Sequence, residues 1–161
     1  MKGMIRAAAM VFLLAPGVSW AEDLDAGLNA FNAGEYETAY EIWQPIAEQG
    51  VAVAQYSLGV MYYDGLGVAQ DYAEAVQWYR AAAEQGNAGA QFNLGLMYLQ
   101  GRGVAQDFVT AHMWLNIAAS SGHANAREAR DVVHGQMTPE AIAQAQRRAR
   151  ICMESDYQDC D

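Results

Sequence analysis

Lysine is almost missing from this chain of 161 residues, with Lys2 the single example. Beyond position 2 there is therefore no Gly-Lys-Ser/Thr phosphate loop, no Schiff-base lysine and no Ser-x-x-Lys acyl-transfer pair. Cysteine is nearly as scarce, and Cys152 and Cys160 are too far apart for a Cys-x-x-Cys redox motif. No His-Glu-x-x-His motif or Cys/His cluster is present, so no metal site can be read from local spacing. Asn-x-Ser/Thr acceptors are absent as well, and with the alanine-rich, lysine-poor usage this suits a bacterial periplasm. The one long apolar run, Ala7 to Ala15, is shorter than the roughly 18–20 residues that cross a bilayer.

That run belongs to the opening stretch, "MKGMIRAAAMVFLLAPGVSWAED". Lys2 and Arg6 precede it, Pro16 ends it, and Ser19 and Ala21 supply the small residues of a cleavage site. The layout predicts a secretory signal over residues 1–21, with the exported chain, periplasmic or secreted, starting at Glu22. No cysteine near the cut suggests lipid attachment. Once exported, seven arginines face nineteen carboxylates, a net charge near −12. Such a surface repels phosphate backbones, which makes nucleic acid a poor partner, and the same repulsion argues against anionic lipid; no membrane insertion is expected once the signal is cleaved. In an oxidising compartment the expected state of Cys152 and Cys160 is a disulfide.

What the chain has in abundance is repetition. "YYDGLGVAQDY" at Tyr62–Tyr72 returns as "YLQGRGVAQDF" at Tyr98–Phe108, and 17 of the 33 positions in Ala54–Gly86 are identical 36 residues later. A period in the thirties marks stacked supersecondary units. Ala54, Leu58, Met61 and Tyr62 recur at helical spacing, and Gly59 beside them fits a helix that a neighbour must approach closely. Gly65 and Gly67 break that helix in a turn. Asp71 opens the next, with Glu74 completing a capping box, and Ala75, Trp78, Tyr79 and Ala82 form its apolar stripe. Gly50, Gly86 and Gly122, each 36 apart, close three such second helices as left-handed caps. Neither helix of a pair can bury its apolar side alone, so the hairpins must stack.

The string Ala-x-x-x-Leu-Gly-x-Met-Tyr-x-x-Gly-x-Gly-Val-x-x-Asp, followed by Ala-x-x-Trp, Ala-Ala and Gly, resembles the Sel-1-like repeat, a relative of the tetratricopeptide repeat. Leu58, Gly59, Tyr62, Gly65, Gly67, Val68, Asp71, Ala75, Trp78, Ala82 and Gly86 occupy motif positions, as do their counterparts from Leu94 to Gly122. The resemblance implies an all-α fold, a right-handed α-solenoid of antiparallel hairpins closed by a C-terminal capping helix. Residues 22–50 form a degenerate first repeat, 51–86 and 87–122 full repeats, and 123–161 a half repeat, capping helix and acidic tail. Leu24, Leu28 and Phe31 make the first A-like helix, joined by the shorter turn "NAGEY" to Tyr36, Ala39 and Trp43. In the half repeat Arg130 and Asp131 stand where Leu94 and Gly95 would be, giving the polar outer face a terminal unit needs. Thr138 caps the last helix with Pro139 at its first position, and Ile142, Ala145, Ala149 and Cys152 share its inner face. Arg147, Arg148 and Arg150 suit its negative end.

No catalytic or cofactor-binding constellation emerges from this pattern. "GLGVAQ" and "GRGVAQ" lack the last glycine of a nucleotide fingerprint and follow no strand. His112, His123 and His134 are 11 residues apart, about 16 Å on one helix, too far to share a metal by local spacing. Ser120 and Ser121 near His123 lack an oxyanion hole and a third group. What remains is a surface. Opposite Leu58 on its helix lie Tyr56, Val60 and Tyr63, flanked by Val53 and Asp64. The second copy supplies Phe92, Leu96 and Leu99 with Gln100, and Asn93 is added as a polar contact. An outward helix face is ordinarily polar; this one is aromatic and aliphatic. In tetratricopeptide-like stacks such positions line the concave wall, so the resemblance implies a groove for a protein or peptide segment. Tyr56, Tyr63, Phe92 and Leu99 would bury apolar ligand groups, while Asp64, Asn93 and Gln100 would orient its backbone. The expected function is that of an exported, non-enzymatic adaptor or scaffold, with no cofactor. Two alternatives stand beside it: a cell-envelope enzyme or modulator acting on peptidoglycan or β-lactams, and a self-associating structural spacer.

Overall fold

The computed structural model describes residues 20–160, and among them eight α-helices and no strand are found. They run α1 (Trp20–Asn32), α2 (Tyr36–Glu48), α3 (Ala52–Asp64), α4 (Tyr72–Ala83), α5 (Ala88–Gln100), α6 (Phe108–Ser120), α7 (Ala126–His134) and α8 (Pro139–Glu154). Each helix packs on its chain neighbour up to α7, giving a linear α-solenoid. The expected leader lies outside the described residues except for Trp20 and Ala21, which open α1. Among the described residues no helix is long and apolar enough to cross a membrane.

The repeated residues account for the repeated geometry. Ala54, Leu58 and Met61 are fully buried, as are Ala90, Leu94 and Met97 one period on. On the B helices the buried stripe is Ala75, Val76, Tyr79, Ala82 and Ala83; Trp78 is only half-buried and packs toward the preceding repeat. Gly59 and Gly95 let the two helices of each hairpin touch. A methyl on Gly59 would sit 2.5 Å from the Tyr79 ring, and one on Gly95 would sit 2.8 Å from Leu115. The turn glycines do two jobs. Gly65 takes φ 69° to end α3, while Gly67, at φ 70°, lies where a Cβ would strike the backbone of Tyr36 at the start of α2. Gly103 bears on Tyr72 of α4 in the same way. The second glycine of each Gly-x-Gly is thus an inter-repeat contact as well as a turn residue.

Polar groups bind successive units together. Gln55 Nε2 donates to the Ala47 carbonyl at 3.2 Å and Gln91 Nε2 to the Ala83 carbonyl at 3.1 Å, so each A helix is tied to the end of the B helix before it. Tyr62 and Tyr40 share a hydroxyl hydrogen bond of 3.0 Å, and that bond, with burial, pushes the Tyr62 phenol up to about 12. Asp71 caps α4 by accepting from the N–H groups of Ala73 and Glu74. The reciprocal half of the expected capping box is replaced, because the Asp71 N–H donates to the Tyr62 carbonyl across the turn.

The first unit departs from expectation in register. Gly27 lies where a Cβ would collide with the Trp43 indole, as Gly59 meets Tyr79. Trp43 and Tyr79 are 36 apart but Gly27 and Gly59 only 32, because the "NAGEY" turn is four residues shorter. Leu28 is therefore the counterpart of Val60 and Leu96 and is 49% exposed, not part of a core face. Gly27 and Ala30 are the buried positions of α1.

At the other end α7 and α8 both rest on α6. Thr138 Oγ accepts from Ala141 N–H, and Ala145, Ala149 and Cys152 are buried as the spacing requires. The three arginines do not serve the helix end: none lies in its last turn, and Arg148 instead donates to Thr110 Oγ1 on α6. Cys152 and Cys160 are disulfide-bonded. The segment after α8 is not a free acidic tail. Asp156 and Tyr157 adopt positive φ and turn the chain back, so that Tyr157 and Cys160 pack against the core of the second and third hairpins.

Candidate binding groove

The A helices α3 and α5 of successive hairpins touch directly. Between α3 and α5 lies a cleft of about 330 Å³ lined by Val60, Tyr63, Asp64, Tyr79, Asn93, Leu96, Met97 and Gln100. Six of the ten residues expected to form a groove meet here: Val60, Tyr63, Asp64, Asn93, Leu96 and Gln100.

The other four lie beyond it. Val53 is 54% exposed at the start of α3. Tyr56 is half-buried, its ring 6.0 Å from that of Tyr79 and against Gly89. Phe92 stacks on His123 at 4.1 Å, and Leu99 packs with Leu115 and Ala111 below α5. None of Tyr56, Tyr63, Phe92 and Leu99 is fully enclosed.

Tyr79 and Met97 escaped the helical-wheel reading because both point from the core side and only their edges reach the cleft. Tyr79 is 2% exposed. Burial, reinforced by Tyr56, drives its phenol well above the ordinary tyrosine range, while a hydrogen bond with Asn93 works the other way. The phenol is therefore a fixed neutral group at the base of the cleft, and Asn93 is partly committed to it. Asp64 and Gln100 are exposed at the rim. Arg102 crosses between repeats to hydrogen-bond the Tyr63 hydroxyl, its guanidinium 5.8 Å from the Tyr63 ring and 5.5 Å from that of Tyr72. It holds Tyr63 upright as one wall. The arrangement offers an apolar floor, a charged rim and fixed walls, and no nucleophile–base pair lines it.

Elsewhere, His112 occupies the Val76 register and is 1% exposed, and α7 brings His134 to within 5.6 Å of it, ring to ring. Local spacing alone could not reveal that meeting. Among the described residues no three His, Cys, Asp or Glu side chains cluster to hold a metal.

The profile of the Sel1 repeat matches residues 52–87 and 88–123. Among solved structures, a protective antigen present in uropathogenic Escherichia coli strains and displaying an SLR fold is 29% identical, with a TM-score of 0.80. The match covers 85% of this chain but only 31% of that longer one. A Sel1 repeat protein from Oxalobacter formigenes is 32% identical over 70% of this chain and 88% of its own, with a TM-score of 0.64. No curated protein matches. Sel1 repeats generally mediate protein–protein interaction and are typically non-catalytic scaffolds. With two matched repeats and a relative aligned over most of its own length, the chain belongs to the Sel1 repeat family.

Proposed function

We propose that this protein is an exported interaction scaffold that holds a peptide or protein segment in the cleft between α3 and α5. The observation that carries the reading is the convergence of Val60, Tyr63, Leu96 and Met97 on one open cleft with Asp64 and Gln100 at its rim. An apolar ligand side chain would be desolvated against the floor, and the rim would hydrogen-bond ligand backbone. Leu28, in register with Val60 and Leu96, extends the apolar row onto α1. Export is supported by the leader-like sequence and by the Cys152–Cys160 disulfide, which fits an oxidising compartment.

The test is partner recovery from the native envelope after in-cell cross-linking, with wild type compared against Tyr63→Ala combined with Leu96→Ala. Both positions are half-buried, so the helical circular dichroism should survive. Loss of the wild-type partners supports the groove; an unchanged partner set with intact helicity rejects it.

A further inference from the structure

We propose that the wedge between α7 and α8, floored by α6, binds a small oxyanion through His112, Arg130 and His134.

The wedge exists because both terminal helices rest on α6 and hardly on each other. It encloses about 270 Å³ lined by His112, Asn116, Arg130, Asp131, His134 and Gln146. Two of these replace apolar residues of the repeat: His112 stands for Val76, and Arg130 for Leu94. A core position has thus been exchanged for a hydrogen-bonding one at the place where the array stops.

His112 is 99% buried, yet neither ring nitrogen has a hydrogen-bond partner. Such a deficit costs about 1–3 kcal/mol per group; a bound acceptor would satisfy the ring N–H, and both nitrogens once the ring is protonated. Around it, Arg130 Nη1 donates to Asn116 Oδ1 at 3.1 Å, and Arg130 also pairs with Asp131 at 2.7 Å. The amides of Asn116 on the floor and Gln146 on the α8 wall add further donors.

The donors and ligands of the lining decide between a cation and an anion. The groups facing His112 are His134, Arg130 and Asp131 on α7, and only the amide of Gln146 comes from α8. Burial first, then His134 and Arg130, hold His112 down to about 4, and Asp131 opposes them less. Asp131 is already paired with Arg130, no three metal-ligating side chains cluster here among the described residues, and Arg130, Asn116, Gln146 and the imidazoles can all present N–H donors. They disfavour a metal ion and favour an anion, which would let His112 accept a proton as it binds. This wedge shares no lining residue with the α3–α5 cleft, so its fate is separate from that of the scaffold reading.

Sulfate is a suitable probe because it stays a dianion across the relevant pH range. It would be titrated into the full chain at constant ionic strength, set with sodium chloride, while the histidine Cε1–H resonances are followed at pH 7.5 and pH 5.5. The expected result is a saturable shift with an affinity about tenfold higher at pH 5.5, as follows if the bound anion restores His112 from about 4 to its ordinary value of about 6.5. His112→Val, which restores the residue of the preceding repeat, and Arg130→Gln should each weaken it about tenfold or more with unchanged helicity. A shift that chloride reproduces, or one that persists in either folded variant, overturns the proposal.

Discussion

Gly59 and Tyr79 are in backbone-to-ring contact: a Cβ on Gly59 would lie 2.5 and 2.6 Å from two carbons of a ring that is only 2% exposed. Replacing the glycine by alanine gains about 1 kcal/mol of helix propensity but incurs overpacking of about 1–3 kcal/mol, and the ring has nowhere to move. Gly59→Ala should therefore destabilise. Gly95→Ala should cost less, because the flexible Leu115 side chain stands where Tyr79 does. Urea unfolding of both variants checks the order, and a stabilised Gly59→Ala would contradict the close approach.

Gln91 is wholly buried, and its Nε2 serves the Ala83 carbonyl while its Oε1 has no partner. Gln91→Leu removes one hydrogen bond and one orphaned acceptor together, so it should cost no more than about 1 kcal/mol. Gln91→Ala also opens a cavity and should cost about 2–3 kcal/mol. Equal losses in denaturant titration would show that the hydrogen bond, not packing, fixes this residue.

Stability should fall in acid through His112. Its folded pKa, about 4, lies below the ordinary 6.5, so the neutral form stabilises the fold above that value. As pH drops from 6.5 toward 4, the unfolded chain binds a proton that the folded one refuses, and up to about 3 kcal/mol is lost. His112→Val lacks this component. Thermal melts of both proteins across that window, in sulfate-free buffer, should show the wild type losing more stability than His112→Val as pH falls; parallel curves would remove the assignment.

The disulfide holds the end of the chain against the repeats. Closing the short loop between Cys152 and Cys160 contributes roughly 2–3 kcal/mol in the chain-entropy model. Reduction should lower the melting temperature and free Tyr157 from Gly86, which hydrogen exchange at residues 155–160 would detect. Unchanged protection after reduction would mean that Tyr157 packing alone suffices.

The architecture was legible because it is written locally and repeatedly. Leu58, Gly59, Gly65 and Asp71 each state a helix face, a close approach, a turn or a cap within a few residues, and their second copies confirm the register. Features that depend on a change of register were harder to read. Leu28 shares helical spacing with Leu24 and Phe31, and only the approach of Gly27 to Trp43 shows the four-residue shortening that leaves it exposed. The walls supplied by Tyr79 and Met97 were hidden because both are core residues whose edges happen to reach a cleft. His112 and His134 lie on helices that meet only where the repeat is broken, so no periodicity could announce them. Gln55 and Gln91 carried a visible signal, identity in both copies, whose meaning needed the Ala47 and Ala83 carbonyls.

Gly67 and Gly103 set main chain directly on main chain between successive hairpins. The pitch of the array is thus dictated by rigid peptide groups rather than by adaptable side chains. On the scaffold reading proposed above, an entering segment would meet jaws whose gap these glycines have set in advance.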